Sequence, residues 1–242
     1  MRLDVTEGVT LFSGLLDRPA QEALRDDLRR LVAEAPFYTP EMPRTGKPFS
    51  VRMTNLGALG WVSDRQGGYR YQATHPATGS PWPPIPDQLI DIWRKVTDFE
   101  RLPEACLVNF YSGDARMGLH QDRDEADFDA PVVSVSLGDT ARFRIGGPNR
   151  SDPTKSLDLK SGDVLVFGGP ARLAFHGIDR ILTGTSTLLE HFQEKWEPVF
   201  RPEMRQNKEL EQIPISMKDG FALADGGRIN LTLRVVTPPP IA

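Results

Sequence analysis

Cysteine is almost absent from this chain: Cys106 stands alone among 242 residues. A single thiol excludes an intramolecular disulfide framework and suits a reducing compartment, so the expected location is cytoplasmic. Cys106 lies in an apolar run, which points to a buried strand residue rather than a reactive thiol. No apolar stretch approaches the roughly 18 residues a membrane span requires. The opening MRLDVTEGVTLF carries an early acid and no continuous apolar core, so a secretory signal is not expected. Strong positive charge is missing too. A net charge of −4 argues against broad, non-specific adhesion to nucleic acid. A local basic face from Arg44, Lys47, Arg52, Arg142, Arg144 and Arg150 stays open, although each is individually expected to be solvated.

What is abundant is punctuation. Twenty-one glycines and 21 prolines favour many turns and short strands over a helical bundle. Two helices are nonetheless expected early. Asp17 is a suitable N-cap, Pro19 fits the first turn, Leu24, Leu28 and Leu31 recur at helical spacing, and Pro36 ends the segment. From 87 to 99, Leu89, Trp93 and Val96 make a second core-facing stripe. Between them, residues 37–86 are broken by proline and glycine and hold Trp61, Tyr69, Tyr71 and Trp82. That loop-rich segment is either a surface on which bases stack or a small local core.

Beyond residue 100 the pattern becomes short strands, at 105–111, 132–137, 141–145, 163–167, 172–175 and 228–236. Helices followed by many short strands predict a mixed α+β, mainly β fold. Its form is an antiparallel sandwich or jelly roll with the helices packed outside.

The chemistry concentrates in NFYSGDARMGLHQDRD at 109–124. Residues i and i+2 of an extended segment point the same way, so His120 and Asp122 can reach one metal ion. A His-x-Asp pair is a weak signal alone; His176 offers a third ligand. Two histidines and a carboxylate are the facial set of non-haem Fe(II) oxygenases, with positions left open. The final strand, RINLTLRVV, alternates strictly. Ile229, Leu231, Leu233 and Val235 share one face, and Arg228, Asn230, Thr232 and Arg234 share the other. The polar face either meets water or, if the strand closes a barrel, points two guanidiniums inward. In the second case they need carboxylates, and a dicarboxylate supplies two.

Together these stretches, with MTNLGALGWVSDRQGGYRY, CLVNFY, LHQDRDE, APVVSVSLG, GDVLVFGG, FHGI and RINLTLR in order, resemble the AlkB family of Fe(II)- and 2-oxoglutarate-dependent nucleic-acid demethylases. The resemblance implies a double-stranded β-helix with flanking N-terminal helices and a nucleotide-recognition lid. It implies two parts: residues 1–100 with the helices and lid, and 101–242 as oxygenase core. It also implies catalytic iron ligands at His120, Asp122 and His176, and 2-oxoglutarate contacts at Asn109, Tyr111, Arg228, Asn230 and Arg234. On this reading Arg234 takes the distal carboxylate and Arg228 lies near the iron-chelating end. Trp61, Tyr69, Asp124 and Arg150 match positions that hold the base. The implied activity is oxidative demethylation of 1-methyladenine or 3-methylcytosine in single- or double-stranded DNA, with RNA as a further candidate. It consumes 2-oxoglutarate and O2 and releases formaldehyde, succinate and carbon dioxide. A monomer without an obligate protein partner is expected. The chain departs from the family pattern at 191–225, a net-acidic insertion before the last strand. It is expected to be a surface excursion with a helix at 203–212, which leaves His191 solvated. His75, near the proline-rich turn, is likewise expected to be solvated.

Overall fold

A computed structural model describes residues 1–189 and 227–239. The insertion at 191–225, its expected helix and His191 therefore lie outside the described residues. Two antiparallel sheets face each other. The larger has seven strands: β1 (Arg2–Thr6), β2 (Val9–Phe12), β3 (Arg52–Gly57), β6 (Ala105–Tyr111), β8 (Val132–Gly138), β11 (Val164–Phe167) and β13 (Arg228–Arg234). Its spatial order is β1-β2-β11-β8-β13-β6-β3. The smaller runs β10 (Lys155–Leu159), β9 (Thr140–Ile145), β12 (His176–Leu182) and β7 (Met117–His120). A separate hairpin joins β4 (Gly60–Asp64) to β5 (Gly68–Gln72). This is the expected jelly-roll architecture, mostly strand with few helices. Strands from both sides of residue 100 share the large sheet.

Alternation along the strands builds two cores from one sheet. Cys106, Val108, Phe110, Val133, Val135, Leu137, Ile229, Leu231 and Leu233 point outward and pack beneath the helices. Helix α1 (Arg18–Glu34) buries Leu24, Leu28 and Val32 there, and α2 (Asp87–Val96) buries Leu89, Ile92 and Trp93. Asp17 caps α1 as expected, its carboxylate accepting from Ala20 N at 3.0 Å. The opposite face carries Tyr111, Val132, Leu165 and Phe167, which meet Phe143, Ile145 and Ile178 of the small sheet. Strand β13 sits between β8 and β6 in the middle of the large sheet, so its polar face points into the sandwich and not into water.

Three expectations need correction. Residues 172–175 are not a strand: Gly169–Ala171 form a 3₁₀ turn, and the strand begins only at His176. Arg172 is the reason, because its guanidinium turns inward to serve buried oxygens described below. His75 is buried, at 2% exposure. Its Nε2 lies 2.8 Å from Pro36 O, and its Nδ1 accepts from the Ala77 and Thr78 amides at 3.1 and 3.2 Å. The loop folds around the ring because those amides have no strand partner to satisfy them. Finally, β1, β2, β7 and β10 were not anticipated. They are four or five residues each, too short to show a clear period.

Among the arginines offered as a basic face, several are engaged one by one. Arg142 pairs with Asp158, Arg144 donates to Thr154 Oγ1, and Arg52 lies over the Phe37 and Phe110 rings.

Candidate active site and metal centre

His120 ends β7, His176 begins β12, and the two are direct cross-strand partners. Asp122 follows two residues after His120, in the loop leaving the strand. One donor atom from each of the three lies within 4.8 Å of the others, a spacing one metal ion would bridge. Asp122 Oδ1 is 3.6 Å from His120 Nε2, and Oδ2 is 3.6 Å from His176 Nε2. Backbone carbonyls hold the far side of each ring: His120 Nδ1 meets Gly118 O and His176 Nδ1 meets Ala174 O, both at 2.9 Å. Such bonds place the proton on Nδ1 and turn the Nε2 lone pair toward the shared point. Gly177 makes the pairing possible. A Cβ there would stand 2.5 Å from Met117 O, so any side chain would push β7 and β12 apart.

Charge at this end is balanced. Burial alone would raise the Asp122 pKa, but Arg234, the two imidazoles and Arg172 overcome it and hold the carboxyl below the usual carboxylate range. Burial, helped by His120, pushes His176 down to about 4, so the ring is neutral near pH 7. Arg234 Nη2 approaches Asp122 Oδ2 at 2.7 Å, and its Nη1 donates to Glu125 Oε1 at 2.9 Å and Tyr71 Oη at 3.0 Å. Arg172 then donates to Glu125 Oε2 at 3.0 Å, Asp122 O at 2.7 Å and Ala130 O at 2.9 Å. Two carboxylates thus face two guanidiniums, all buried.

The opposite end differs. Arg228 is 0% exposed and pairs with no carboxylate among the described residues. Its Nη1 donates to Asp139 O and Leu159 O, and its Nη2 to Ser136 Oγ at 2.7 Å. Its Nε has no hydrogen-bond partner, and burial pushes its pKa down to about 10. Next along the strand's inner face, Asn230 donates to Ser134 Oγ at 2.7 Å. Asn109 Oδ1 is also buried without a partner. Asn109, Tyr111, Ser134, Asn230, Thr232 and Arg234 line the same cavity as the His120–Asp122–His176 set.

The cavity therefore has a three-donor metal end beside Arg234, and Arg228, a buried cation without a carboxylate partner among the described residues, lies outside its lining on the same strand face. That geometry fits a metal chelated by a dicarboxylate. It also reverses the expected ends: Arg234, not Arg228, stands beside Asp122.

The predicted base-contact residues lie outside the cavity's lining. Trp61 on β4 donates from Nε1 to Asp124 Oδ2 at 2.8 Å and stacks on Tyr69, with ring centroids 5.5 Å apart. Tyr69 is exposed at 53%. Arg150 donates to Leu119 O at 2.9 Å, one residue before His120. The aromatics of the loop-rich segment thus divide between the two readings. Trp82 is local core, its Nε1 bound to Gln72 O, whereas Trp61 and the exposed Tyr69 stack on each other. Sequence reasoning passed over Glu125, Arg172 and the hydroxyl of Tyr71. Glu125 is the last letter of LHQDRDE, but only the fold reveals the two arginines that neutralise it.

Both a jelly roll and a His-Asp-His set in a cavity with buried arginines define an iron-dependent oxygenase of the 2-oxoglutarate class. Residues 8–234 match the family model described as the 2OG-Fe(II) oxygenase superfamily. The chain is 57% identical over 187 residues to an alpha-ketoglutarate-dependent dioxygenase AlkB homolog of Caulobacter vibrioides, covering 77% of this chain and 84% of that protein. It is 43% identical over 171 residues to AlkB of Escherichia coli K12, covering 68% and 77%. The solved structure of OsALKBH1 superposes with a TM-score of 0.67 at 30% identity, covering 96% of this chain and all of the other. The chain belongs to the 2OG-Fe(II) oxygenase superfamily and, within it, to the AlkB family. It is a dioxygenase whose chemistry requires Fe(II), 2-oxoglutarate and O2.

Proposed function

We propose that this enzyme repairs DNA by oxidative removal of N-linked methyl groups from nucleobases such as 1-methyladenine and 3-methylcytosine. The observation that carries the substrate reading is the Trp61–Asp124 hydrogen bond of 2.8 Å. It joins an indole to a carboxylate that follows Asp122 by two residues. A methylated base of this kind is cationic, and stacking on Trp61 adds a cation–π attraction of about 0.5–2 kcal/mol. Relatives named as DNA N(6)-methyladenine demethylase in Arabidopsis thaliana and nucleic acid dioxygenase in Homo sapiens support a nucleic-acid substrate.

His120, Asp122 and His176 would hold Fe(II) on one face. Bound there with 2-oxoglutarate and O2, the iron supplies the oxidation that converts the N-methyl group to formaldehyde, with succinate and carbon dioxide as co-products. The protein's part is to bind, orient and exclude. Arg228 would take the distal carboxylate, because it is a buried cation that pairs with no carboxylate among the described residues. Asn109, Tyr111 and Asn230 line the path between, and Arg234 steadies Asp122 and the chelating end. Trp61, Tyr69, Asp124 and Arg150 receive the base. Its methyl lies on the pairing edge, so the base must be flipped out of a duplex or come from a single strand. DNA is the proposed polymer, with RNA second, and the enzyme acts as a monomer.

Reconstitution tests this directly. With Fe(II), 2-oxoglutarate and air, the purified protein should release formaldehyde from oligonucleotides carrying 1-methyladenine or 3-methylcytosine, with product masses reduced by one methyl group. Absence of turnover on both bases would overturn the reading.

A further inference from the structure

Two consecutive acids leave the metal loop in opposite directions, and one hairpin grips both. Asp124 turns outward to Trp61 Nε1, and Glu125 turns inward to Tyr71 Oη. Trp61 and Tyr71 are themselves cross-strand partners in the β4–β5 hairpin. The hairpin is thus stapled to the segment that supplies Asp122, once on the exposed side and once in the interior. The inner staple does more than anchor. The phenol of Tyr71 keeps its proton, since burial raises its pKa well above the ordinary tyrosine value. It can therefore donate to Glu125 Oε1 while accepting from Arg234 Nη1 at 3.0 Å. Glu125 in turn accepts from Arg234 Nη1 at 2.9 Å, and Arg234 Nη2 faces Asp122 at 2.7 Å. One edge of the Arg234 guanidinium is pinned by Tyr71 and Glu125, which leaves Nε without a partner.

We infer that Tyr71 is a positioning residue that fixes the aim of Arg234 at the iron-side end of 2-oxoglutarate and ties that aim to the base-contacting hairpin. The inference rests on the reading of Arg234 given above. Its physical basis is that a planar guanidinium delivers directed bonds only when its plane is held, and among the described residues the hydroxyl of Tyr71 is the one neutral group holding it. Charge balance does not depend on that hydroxyl. Without it, Glu125 still faces Arg172 and Arg234, so Tyr71→Phe should leave the fold intact and loosen only the orientation. Because Trp61 and Tyr71 share one strand pair, a base stacked on Trp61 steadies the same guanidinium. The two ligands should then strengthen each other reciprocally.

The test uses the full chain loaded with Mn(II), without O2, so that binding is read apart from turnover. Calorimetric titration of 2-oxoglutarate into Tyr71→Phe should show affinity weakened about tenfold, the effect of one charge-assisted hydrogen bond. Affinity for a 1-methyladenine oligonucleotide, measured without 2-oxoglutarate, should stay within about twofold, and the wild-type mutual tightening of the two ligands should largely vanish. Arg234→Lys, which keeps the charge but not the fork, is the companion variant. If it weakens 2-oxoglutarate binding while Tyr71→Phe does not, the inference about Tyr71 fails and the reading of Arg234 stands. If neither variant changes it, the reading of Arg234 itself fails. A Tyr71→Phe protein that loses both affinities together with its melting temperature would show a merely structural role and overturn the proposal.

Discussion

The two ends of β13's inner face solve the problem of buried charge in opposite ways. At the iron end, Asp122 and Glu125 face Arg172 and Arg234, and every guanidinium has a carboxylate within 3.0 Å. At the far end, Arg228 is equally buried but, among the described residues, meets only carbonyls and a serine hydroxyl. The first end is complete within the protein and exists to hold ligands still. On the proposed function the second would be completed by a carboxylate of the cosubstrate. An unpaired buried cation costs stability, and a bound dicarboxylate restores it.

Three perturbations would sharpen or break that contrast. The largest effect belongs to the triad. Replacing His120 and Asp122 together by alanine should abolish Fe(II) binding and all turnover, measured by metal titration and formaldehyde release. Retention of tight, stoichiometric iron would refute the assignment.

Next come the two arginines, changed identically. Arg234→Met leaves Asp122 and Glu125 short of a counter-charge and should destabilise the metal-free protein by about 3–5 kcal/mol. Arg228→Met removes a cation that had no carboxylate partner. It should alter stability by no more than about 1 kcal/mol, in either direction, while weakening 2-oxoglutarate binding about 100-fold. Chemical denaturation and calorimetry of the two variants side by side decide the matter. Equal stability losses would erase the distinction between the ends.

The smallest effect is in pH. His176 is held at about 4 in the fold, against an ordinary value of 6.5. The unfolded chain therefore takes up the proton first, and metal-free stability should drain away as pH falls from 6.5 toward 4. The loss at pH 5 is on the order of 2 kcal/mol. Asp122, held below the usual carboxylate range, adds its own loss only at more acidic pH. In His176→Gln the decline above pH 5 should flatten; an unchanged profile would show that His176 is not the group responsible.

Much of this was legible in the residues. Asp17 and the leucines after it announced α1, because a cap and a 3.6-residue period are local properties of the chain. The alternation of RINLTLR sorted apolar from polar side chains for the same reason, and His120-x-Asp122 put two ligands on one side of an extended segment. What stayed open was always a question of neighbours. Whether the polar face of β13 met water depended on β8 and β6 lying on either side of it. His75 looked like a loop histidine, since the amides that hold it become partners only when the loop closes. Arg234 and Arg228 lie on the same face of one strand, and no spacing says which of them the metal loop will reach.

By itself, then, the sequence determined the strands and helices with clear periods, the three candidate metal ligands and the family to which the chain belongs. Each of these is carried by residue type and spacing along the backbone. Only the tertiary structure decided which arginine stands beside Asp122, that Glu125 and Arg172 complete its charge balance, and that Tyr71 links the hairpin to it. Those outcomes depend on burial and on distances of about 3 Å between residues far apart in the chain, at which a hydrogen bond or ion pair either forms or does not.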